Sequence, residues 1–223
     1  MPVSRIIAVV SGGIDSVTMA HHLKNQGHDL HVLSIDYGQR HRRELECARA
    51  VADRLDASYE QVDLSAAKSI FRGSSLTDPS VEVPRIDDAP PVNPNIVPNR
   101  NAVLLSIAFV SAVVENADAV AFGVIADDVG PSDTSPEFLQ KFLEMEQVAT
   151  RGSARPGLSL LAPLVTLHKT DVVVLGDELG VPWEETWTCF RGEQIHCGEC
   201  AACAERRGAF TEVGIRDPMP YRE

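Results

Sequence analysis

A loop near the N-terminus carries residue types that bind phosphate groups. It reads SGGIDS at positions 11–16 and follows the apolar, β-branched run at 6–10. Two glycines let the backbone approach an anion closely, and the N–H groups at the start of a helix supply positive potential without a charged side chain. Because no lysine follows, this is not a Walker A motif, and the spacing is not G-x-G-x-x-G. The loop predicts a phosphate or pyrophosphate site.

Side chains of the same loop offer further interactions. The hydroxyl groups of Ser11 and Ser16 can donate hydrogen bonds to phosphate oxygens. Asp15 has two interpretations, since its carboxylate either helps to hold a magnesium ion that neutralises the phosphates or caps the helix that follows. We favour the role in the site.

Four of the five cysteines are crowded between positions 189 and 203. Clustered thiols in a chain without a secretory pattern more often hold a metal than form disulfides. Four thiolates are what a closed tetrahedral zinc site needs, which predicts one structural Zn²⁺ per chain. An iron–sulfur cluster, a redox dithiol and a site with His196 as a ligand are the alternatives. The predicted ligands are Cys189, Cys197, Cys200 and Cys203.

Short apolar runs alternate with amphipathic helical patterns along most of the chain. Consecutive strands joined through helices lie parallel, so the pattern predicts an α/β fold, a Rossmann-like parallel sheet with helices on both faces. The predicted strands are 6–10, 30–35, 59–64, 119–123 and 158–161. The predicted helices are 15–26, 40–55, 102–114, which we expect to be buried, 136–150, and 170–179, with Thr170 as its cap.

We divide the chain at residue 180. Residues 1–180 are the predicted α/β domain, and residues 181–223, which contain the clustered cysteines, form a small C-terminal zinc-binding lobe. Six prolines between 65 and 99 prevent long regular elements there. A loop of this length either serves a ligand site or is disordered. Because it leads directly into Arg100 and Asn101, we expect it to cover the substrate.

Size and charge limit the possible functions. The 223 residues, of 24.2 kDa, suffice for one sizeable core. The formal net charge of -12 disfavours a broad basic surface, so no nucleic-acid partner is expected. The apolar stretch 102–114 is too short to cross a bilayer, and the first residues lack a signal-peptide pattern. We therefore expect a cytoplasmic protein, without a membrane partner, that acts on a small molecule.

The SGGIDS loop resembles the pyrophosphate loop, S-G-G-x-D-S, of the N-type ATP pyrophosphatases. That group activates a carboxyl or carbonyl oxygen by adenylation and releases pyrophosphate. The resemblance implies ATP with Mg²⁺, its pyrophosphate on the loop and its adenine and ribose at the end of the second strand. The implied ATP-binding residues are Val10, Ser11, Gly12, Gly13, Ile14, Asp15, Ser16, Val17, Ser34 and Asp36.

Further motifs extend the resemblance along the chain. They are DYGQRHRRE at 36–44, GSSLT at 73–77, VPNRN at 97–101, PEF at 136–138, APL at 162–164, TWTC and CGECAAC between 186 and 203, and AFTEVGIRDPMPY at 209–221. Together they resemble the QueC family of 7-cyano-7-deazaguanine synthases. The resemblance implies an adenine nucleotide alpha hydrolase-like fold, a homodimer, and an ATP-dependent ligase. Its reaction converts 7-carboxy-7-deazaguanine and ammonium to the amide and then to the nitrile.

The resemblance also implies roles for single residues. Lys169 fits a lysine that neutralises the phosphates in the transition state, the alternative being a solvated lysine at a helix start. Arg100 can pair with a carboxylate through two hydrogen bonds, or simply begin a helix. The predicted catalytic residues are Asp15, Ser16 and Lys169, and the predicted substrate-binding residues are Arg100, Asn101 and Asp133.

The sequence departs from the family pattern in two places. It reads GPSDTSPEF at 130–138, where the family usually reads GYPDCRPEF, and Asn99 stands where Gly or Ala is usual. The first change motivates an alternative, an enzyme that adenylates a deazaguanine carboxylate and stops at an amide or joins it to a protein or peptide amine. A tRNA sulfurtransferase or lysidine-type enzyme and a non-catalytic zinc module that binds a partner are the remaining alternatives.

Overall fold

The computed structural model describes residues 4–88, 90–128 and 133–222. Within these ranges the strands are β1 (Arg5–Val9), β2 (Asp29–Asp36), β3 (Ser58–Asp63), β4 (Ala119–Phe122) and β5 (Ser159–Leu161). They form one five-stranded sheet in the order β3-β2-β1-β4-β5, and every pair is parallel. Each predicted strand is confirmed to within one residue at either end.

Helices cover both faces of this sheet. They are α1 (Ile14–Asn25), α2 (Arg43–Arg54), α3 (Arg100–Val114), α4 (Pro136–Ala149), α5 (Lys169–Glu178) and α6 (Ala201–Val213). Strand β1 shows the reason, because its alternating side chains are buried on both sides. Ile6 and Ala8 belong to a core shared with α1, α2, α5 and α6, whereas Ile7 and Val9 belong to a core shared with α3 and α4. The predicted α/β fold is confirmed.

Helix α3 differs from the expectation of a buried helix. Leu105 and Phe109 are buried against the sheet, but Val110 is 65% and Val114 76% exposed. The helix is therefore buried on one side only. A run that is apolar all round carries no periodicity from which the exposed side can be read.

Two other local predictions meet different outcomes. Helix α5 begins at Lys169 with His168 as its N-cap, and the His168 N–H donates to Asp171 Oδ2 at 2.9 Å. The prediction that Thr170 caps this helix is therefore wrong. Between 65 and 99 the described residues form only two 3₁₀ helices, Ser65–Phe71 and Ile86–Asp88, which agrees with the absence of long regular elements there.

The C-terminal segment is joined to the α/β core by apolar and ionic contacts. Trp183 and Phe210, whose rings pack edge-on with centroids 5.2 Å apart, belong to the same buried cluster as side chains of α1 and α5, and Glu185 pairs with Arg54 of α2. A further ion pair lies within the segment itself. Arg206 is fully buried, and its Nε and Nη2 atoms each donate to Asp217 at 2.9 Å. The Tyr221 hydroxyl donates to the same carboxylate. The division at residue 180 stays a prediction.

Within the described ranges, no helix combines the length and the apolarity that crossing a bilayer demands.

We predict that Asp217→Ala lowers the free energy of unfolding by about 3–5 kcal/mol, because it leaves the buried Arg206 charge without its carboxylate. Urea titration of the purified protein measures the difference. Glu212→Ala, which removes an exposed carboxylate from α6, is the control and should change stability by less than about 0.5 kcal/mol. Equal stability of the two variants would contradict the importance of the buried ion pair.

Candidate active site and cysteine cluster

A cavity of about 430 Å³ lies at the carboxyl ends of β1 and β4. This is the edge where an open parallel sheet places its ligands. Its walls come from the loop at 11–16, from α2 and α3, from the 65–99 segment and from the C-terminal segment. Its lining residues include Ser11, Gly13, Asp15, Ser16, Tyr37, His41, Glu44, Leu76, Asn93, Asn95, Arg100, Asn101, Asp128, Lys169, Trp187 and Glu205.

The loop at 11–16 is braced by its own hydroxyl groups. Ser16 Oγ accepts from the Ser11 N–H at 3.2 Å, and Ser11 Oγ accepts from the Gly13 N–H at 3.3 Å. Helix α1 begins at Ile14, and its N-cap is Gly13, which has no side chain to occupy the first N–H groups. The start of α1 therefore offers these donors to an anion in the cavity.

Gly12 is required where this loop meets α2. Its φ of +93° lies in the left-handed region, and a Cβ atom there would stand 2.1 Å from the Glu44 carbonyl oxygen. The contact sets the loop directly against the first turn of α2. Trp187 of the C-terminal segment donates its backbone N–H to the Gly12 carbonyl at 2.9 Å. The loop is thus held from two sides.

Asp15 and Lys169, which are 154 positions apart in the sequence, form an ion pair in the cavity. Lys169 Nζ donates to Asp15 Oδ2 at 2.6 Å, and Asp15 Oδ1 is buried without a hydrogen-bond partner among the described residues. Burial opposes the charge of Lys169, but the charge and the hydrogen bond of Asp15, together with the charges of Asp128 and Glu205, outweigh it and raise the pKa of the ammonium group. Asp15 therefore faces the site rather than capping α1.

The other predicted nucleotide-binding residues take different positions. The side chains of Val10 and Val17 are fully buried in the core, so only their backbone atoms can reach a ligand. Ser34 and Asp36, on β2, are fully buried and are not among the lining residues of the cavity. Asp36 accepts a hydrogen bond from the Gly38 N–H and forms an ion pair with Arg42. Their contact with a nucleotide stays a prediction.

Two of the three predicted substrate-binding residues line the cavity. Arg100 begins α3, and within 4–88, 90–128 and 133–222 no carboxylate lies at ion-pair distance from its guanidinium group. Asn101 is buried beside it. Asp133 is not a lining residue, because its Oδ2 atom accepts from the Asn101 N–H at 2.8 Å and so binds the first turn of α3. Its role in binding substrate stays a prediction.

The two departures from the family pattern lie at Asn99 and in the segment at 130–138. Asn99 has a φ of +57°, a left-handed conformation that Asn and Gly adopt more readily than other residues. Asn99 therefore keeps a backbone conformation that glycine also accepts. In the altered segment at 130–138, positions 130–132 lie outside the described residues. Thr134 lines the cavity.

The DYGQRHRRE motif contributes cavity residues to which the sequence assigned no role. Tyr37, His41 and Glu44 all face the cavity from the turn that leads into α2. Burial raises the pKa of Glu44 to about 8 and lowers that of His41 to about 4. The Arg100 guanidinium lies over the Tyr37 ring, 5.8 Å from its centroid. The motif carries the family resemblance, and its run of polar residues between two buried elements is the sequence signal for these positions.

The proline-rich segment closes one side of the cavity. Leu76, Asn93 and Asn95 line it. Ser75 of the GSSLT motif holds this arrangement, because its N–H donates to the Pro94 carbonyl at 2.8 Å and its hydroxyl donates to Asn95 Oδ1 at 2.6 Å. The segment is therefore placed as a cover over a ligand in the cavity. That it covers the substrate stays a prediction.

Four cysteine sulfurs converge in the C-terminal segment. The Sγ atoms of Cys189, Cys197, Cys200 and Cys203 lie within 4.8 Å of one another, and all four residues are buried. Sγ atoms of Cys197 and Cys203 are 3.9 Å apart, close to the ~3.8 Å edge of a tetrahedron with ~2.3 Å zinc–sulfur bonds. Backbone N–H groups of Glu199 and Cys200 point at Cys197 Sγ. These four cysteines can therefore bind one metal ion.

Without a cation the clustered thiols do not ionise alike, because hydrogen bonds with Cys189 and Cys203 lower the pKa of Cys200. Hydrogen bonds with Cys189 and Cys200 raise the pKa of Cys203, and burial raises it further. His196 is not part of this cluster. Its ring stacks on Trp187 at 4.3 Å, and its Nε2 atom accepts from the Thr188 N–H at 3.2 Å. Trp187 packs in the same buried cluster as the four cysteines and also lines the cavity. The cysteine cluster and the cavity therefore share one wall.

Comparisons with known proteins agree with this geometry. The chain matches the family described as "Queuosine biosynthesis protein QueC" over residues 5–214. A 7-cyano-7-deazaguanine synthase of Rhizobium johnstonii is 42% identical over 222 residues, which cover 98% of this chain and 92% of the relative. The chain belongs to the QueC family. A QueC-family relative of the same name from Methanosphaerula palustris is 42% identical over 223 residues, 98% of this chain and 100% of the relative.

Two solved structures share the fold. An NMN synthetase from Francisella tularensis has a TM-score of 0.53 and 18% identity, and the match covers 96% of this chain and 79% of that one. A predicted subunit of tRNA methyltransferase from Methanocaldococcus jannaschii has a TM-score of 0.52 and 19% identity, with 99% and 93% covered. At these identities the likeness concerns the fold alone. It supports the adenine nucleotide alpha hydrolase-like fold for this QueC-family chain.

We predict that Gly12→Ala destabilises the protein by about 2–5 kcal/mol, because it combines a strained positive φ with overpacking against Glu44. Gly13→Ala is the matched control, since a Cβ atom at Gly13 would meet its nearest neighbour only at 3.5 Å. Thermal unfolding of both variants measures the difference. Equal melting temperatures would show that the loop and α2 are not in the contact described.

Proposed function

We propose that this protein is an ATP-dependent ligase that converts 7-carboxy-7-deazaguanine and ammonium to 7-cyano-7-deazaguanine through adenylated intermediates. One observation carries the proposal. The loop at 11–16 with Lys169 faces the same cavity as Arg100, whose guanidinium group has no carboxylate partner among the described residues. One cavity thus offers partners for a nucleotide's phosphates and a cation for a second, carboxylate-bearing ligand. The names of the relatives and the match to the QueC family supply the identity of that ligand.

The two half-reactions, from carboxylate to amide and from amide to nitrile, use the same activation, which is adenylation of an oxygen atom. A carboxylate resists ammonia because its leaving group would be oxide. Adenylation makes that oxygen leave as part of AMP, and adenylation of the amide oxygen lets the second oxygen leave in the same way. The protein then has to hold the two ligands together and stabilise the charge that develops on the phosphates.

The phosphates of ATP are assigned to the loop at 11–16. Ser11 and Ser16 donate from their hydroxyl groups, the start of α1 donates from its backbone, and Lys169 neutralises charge as pyrophosphate leaves. Asp15 Oδ1 is a buried carboxylate oxygen without a hydrogen-bond partner among the described residues, which fits a hard cation such as Mg²⁺. Asp128 lies near it, because burial and then the charge of Asp15 raise the pKa of Asp128. These carboxylates would hold Mg²⁺, which supplies positive charge to the leaving pyrophosphate.

Arg100 is assigned to the carboxylate of the substrate. Its Nε atom donates to Asn101 Oδ1 at 3.1 Å and its Nη1 atom to the Tyr37 hydroxyl at 3.4 Å, which leaves further N–H donors of the guanidinium group for a ligand carboxylate. The side-chain amide of Asn101 is used within the protein, because its Nδ2 atom donates to the Asp133 carbonyl at 3.3 Å, so Asn101 would position Arg100. Before adenylation Arg100 would orient the substrate carboxylate. The deazaguanine ring would pack against the aromatic and apolar side chains that line the cavity.

The four cysteines are proposed to hold one structural Zn²⁺ ion. Four thiolates leave no position for water or substrate, so the ion would stabilise the C-terminal segment rather than take part in the reaction. A homodimer stays a prediction from the resemblance.

The decisive test is incubation of the protein with 7-carboxy-7-deazaguanine, ATP, Mg²⁺ and ammonium. Mass spectrometry should detect the nitrile, and pyrophosphate should be released. Lys169→Met and Asp15→Asn should each lower both rates by about 10²–10³-fold, because they remove charge stabilisation at the phosphates. Lys141→Met, at an exposed lysine of α4, is the control and should leave both rates unchanged.

Other products would distinguish the remaining functions. Accumulation of the amide without nitrile would favour the alternative enzyme that stops at the amide or transfers the acyl group to a protein amine. ATP binding without any pyrophosphate release would contradict a ligase and favour the non-catalytic module. A gel shift with tRNA that weakens as salt increases would favour the tRNA-modifying alternative.

We predict one zinc ion per chain by elemental analysis, and its loss in Cys200→Ala. Structural zinc contributes on the order of 10 kcal/mol in small peptides, comparable with the roughly 5–15 kcal/mol stability of a whole domain. Cys200→Ala should therefore be insoluble or locally unfolded. Cys47→Ala removes the cysteine outside the cluster and should keep both zinc and solubility. Iron in the purified protein, or a folded, zinc-free Cys200→Ala that has lost only the attack of ammonia, would contradict structural zinc.

A further inference from the structure

The proposed reaction needs a proton acceptor near the reacting carbon. Ammonium, like a lysine side chain, is protonated at neutral pH and must lose a proton before it can attack. On the way to a nitrile the nitrogen loses every remaining hydrogen. The phosphate-binding groups cannot take these protons, because the serine hydroxyls and the backbone N–H groups serve as donors and Lys169 is already charged.

Among the described residues, four carboxyl groups line the cavity. Three of them are paired with a cation, hydrogen-bonded to the backbone or exposed. Asp15 is paired with Lys169. Asp128 Oδ2 accepts from the Ile125 N–H at 3.2 Å, and Glu205 is exposed on the wall formed by α6. Glu44 alone is buried, with no lysine or arginine at ion-pair distance within the described residues.

Glu44 is held in one orientation by two neighbours. Gln39 Nε2 donates to Glu44 Oε1 at 2.9 Å and also contacts the Ile35 carbonyl at 3.3 Å, so the carboxyl group is tied to the end of β2. His41 Nε2 lies 3.3 Å from Glu44 Oε2. The other ring nitrogen of His41, Nδ1, is buried without a partner in the described part of the chain. A hydrogen-bonding group of a ligand would complete this cluster.

We propose that the Glu44 carboxylate accepts the protons that the nitrogen loses, and that Gln39 and His41 are its positioning residues. This inference rests on the proposed function. In the first half-reaction Glu44 takes one proton from ammonium and passes it to water, the nitrogen lone pair then forms the C–N bond, a second N–H bond breaks to place its proton on Glu44, and AMP leaves with the C–O electron pair. In the second, the two protons of the adenylated amide nitrogen leave one after the other, each passing through the Glu44 carboxylate to water, the N–H electrons form the additional C–N bonds, and AMP again departs.

The environment of Glu44 suits this task. Burial raises its pKa to about 8, whereas the hydrogen bond from Gln39 and the charge of Arg100 lower it. A carboxyl group whose pKa lies near the working pH is populated in both protonation states and is a stronger base than an exposed glutamate. The cavity is open to solvent, so a proton taken up in one half-reaction can be released to water before the next.

Glu44→Gln tests the proposal without disturbing the packing. A glutamine has the shape of the protonated side chain, because its carbonyl can accept from Gln39 and its amide can donate to His41. The nucleophiles compared are ammonium and hydroxylamine, which is largely unprotonated at neutral pH and needs no base to attack an acyl adenylate. Glu46→Gln, at an exposed position of the same helix, is the matched control.

We expect Glu44→Gln to slow formation of the amide and the nitrile from ammonium by about 10²–10⁴-fold. Hydroxamate formation and the accompanying pyrophosphate release should stay within a few-fold of wild type. Glu46→Gln should match wild type in every assay. A merely structural role of Glu44 would impair both nucleophiles equally, so selective rescue by hydroxylamine is the distinguishing result.

Two outcomes would overturn the proposal. Equal loss of hydroxamate and amide would assign Glu44 to positioning of the loop at 11–16, and an unchanged rate with ammonium would exclude it as the acceptor. Failure of the proposed function has a different signature, because the wild-type protein would then form neither hydroxamate nor pyrophosphate. The three results can be read from the same set of reactions.

Discussion

The backbone of Gly12 is the point on which the arrangement of the site depends. Its Cα lies against the Glu44 carbonyl, where no Cβ atom fits, and its own carbonyl accepts a hydrogen bond from Trp187. The contact joins the loop at 11–16, the first turn of α2 and the cysteine-bearing segment. A displacement of any one of them would move the other two, because close-packed backbone leaves no space to absorb it.

This junction explains how a closed metal site can matter for chemistry that it does not perform. The cysteine cluster lies behind Trp187, which lines the cavity and holds the loop, and Arg206 of α6 is tied to Asp217 in the same segment. A Zn²⁺ ion on the four thiolates would fix the chain from 189 to 203. Its effect on catalysis would then be one of position, passed through Trp187 to the groups that bind phosphate.

Charge is distributed unevenly over the molecule in a way that suits its ligands. The chain carries a formal net charge of -12, and four carboxyl groups of the described residues line the cavity beside Lys169 and Arg100. The positive groups therefore act locally: the start of α1 and Lys169 lie at the loop at 11–16, and Arg100, which has no carboxylate partner among the described residues, lies at the start of α3. The net charge of -12 disfavours nucleic acid, whose phosphates would need many cations at once.

The sequence alone was sufficient for the five strands, for helices α1 to α5, for the parallel sheet, for the loop between β1 and α1 and for the four clustered cysteines, but not for helix α6. Each of these depends on neighbours in sequence, because periodicity, glycine spacing and cysteine spacing are local properties. The exposed side of α3 was not predicted, since a helix that is apolar all round has no pattern to read. The cap of α5 was predicted wrongly, because several polar residues near its start compete for that position.

Only the tertiary structure showed which distant residues meet. Asp15 and Lys169 pair across 154 positions, and Asp133 binds the start of α3, where the sequence suggested a substrate contact. The environment of Glu44 was equally out of reach, because its burial and the lack of a lysine or arginine at ion-pair distance in the described part of the chain arise from the packing of separate segments. Sequence spacing identifies groups able to do chemistry, but the protonation and partners of each group depend on what the fold places around it.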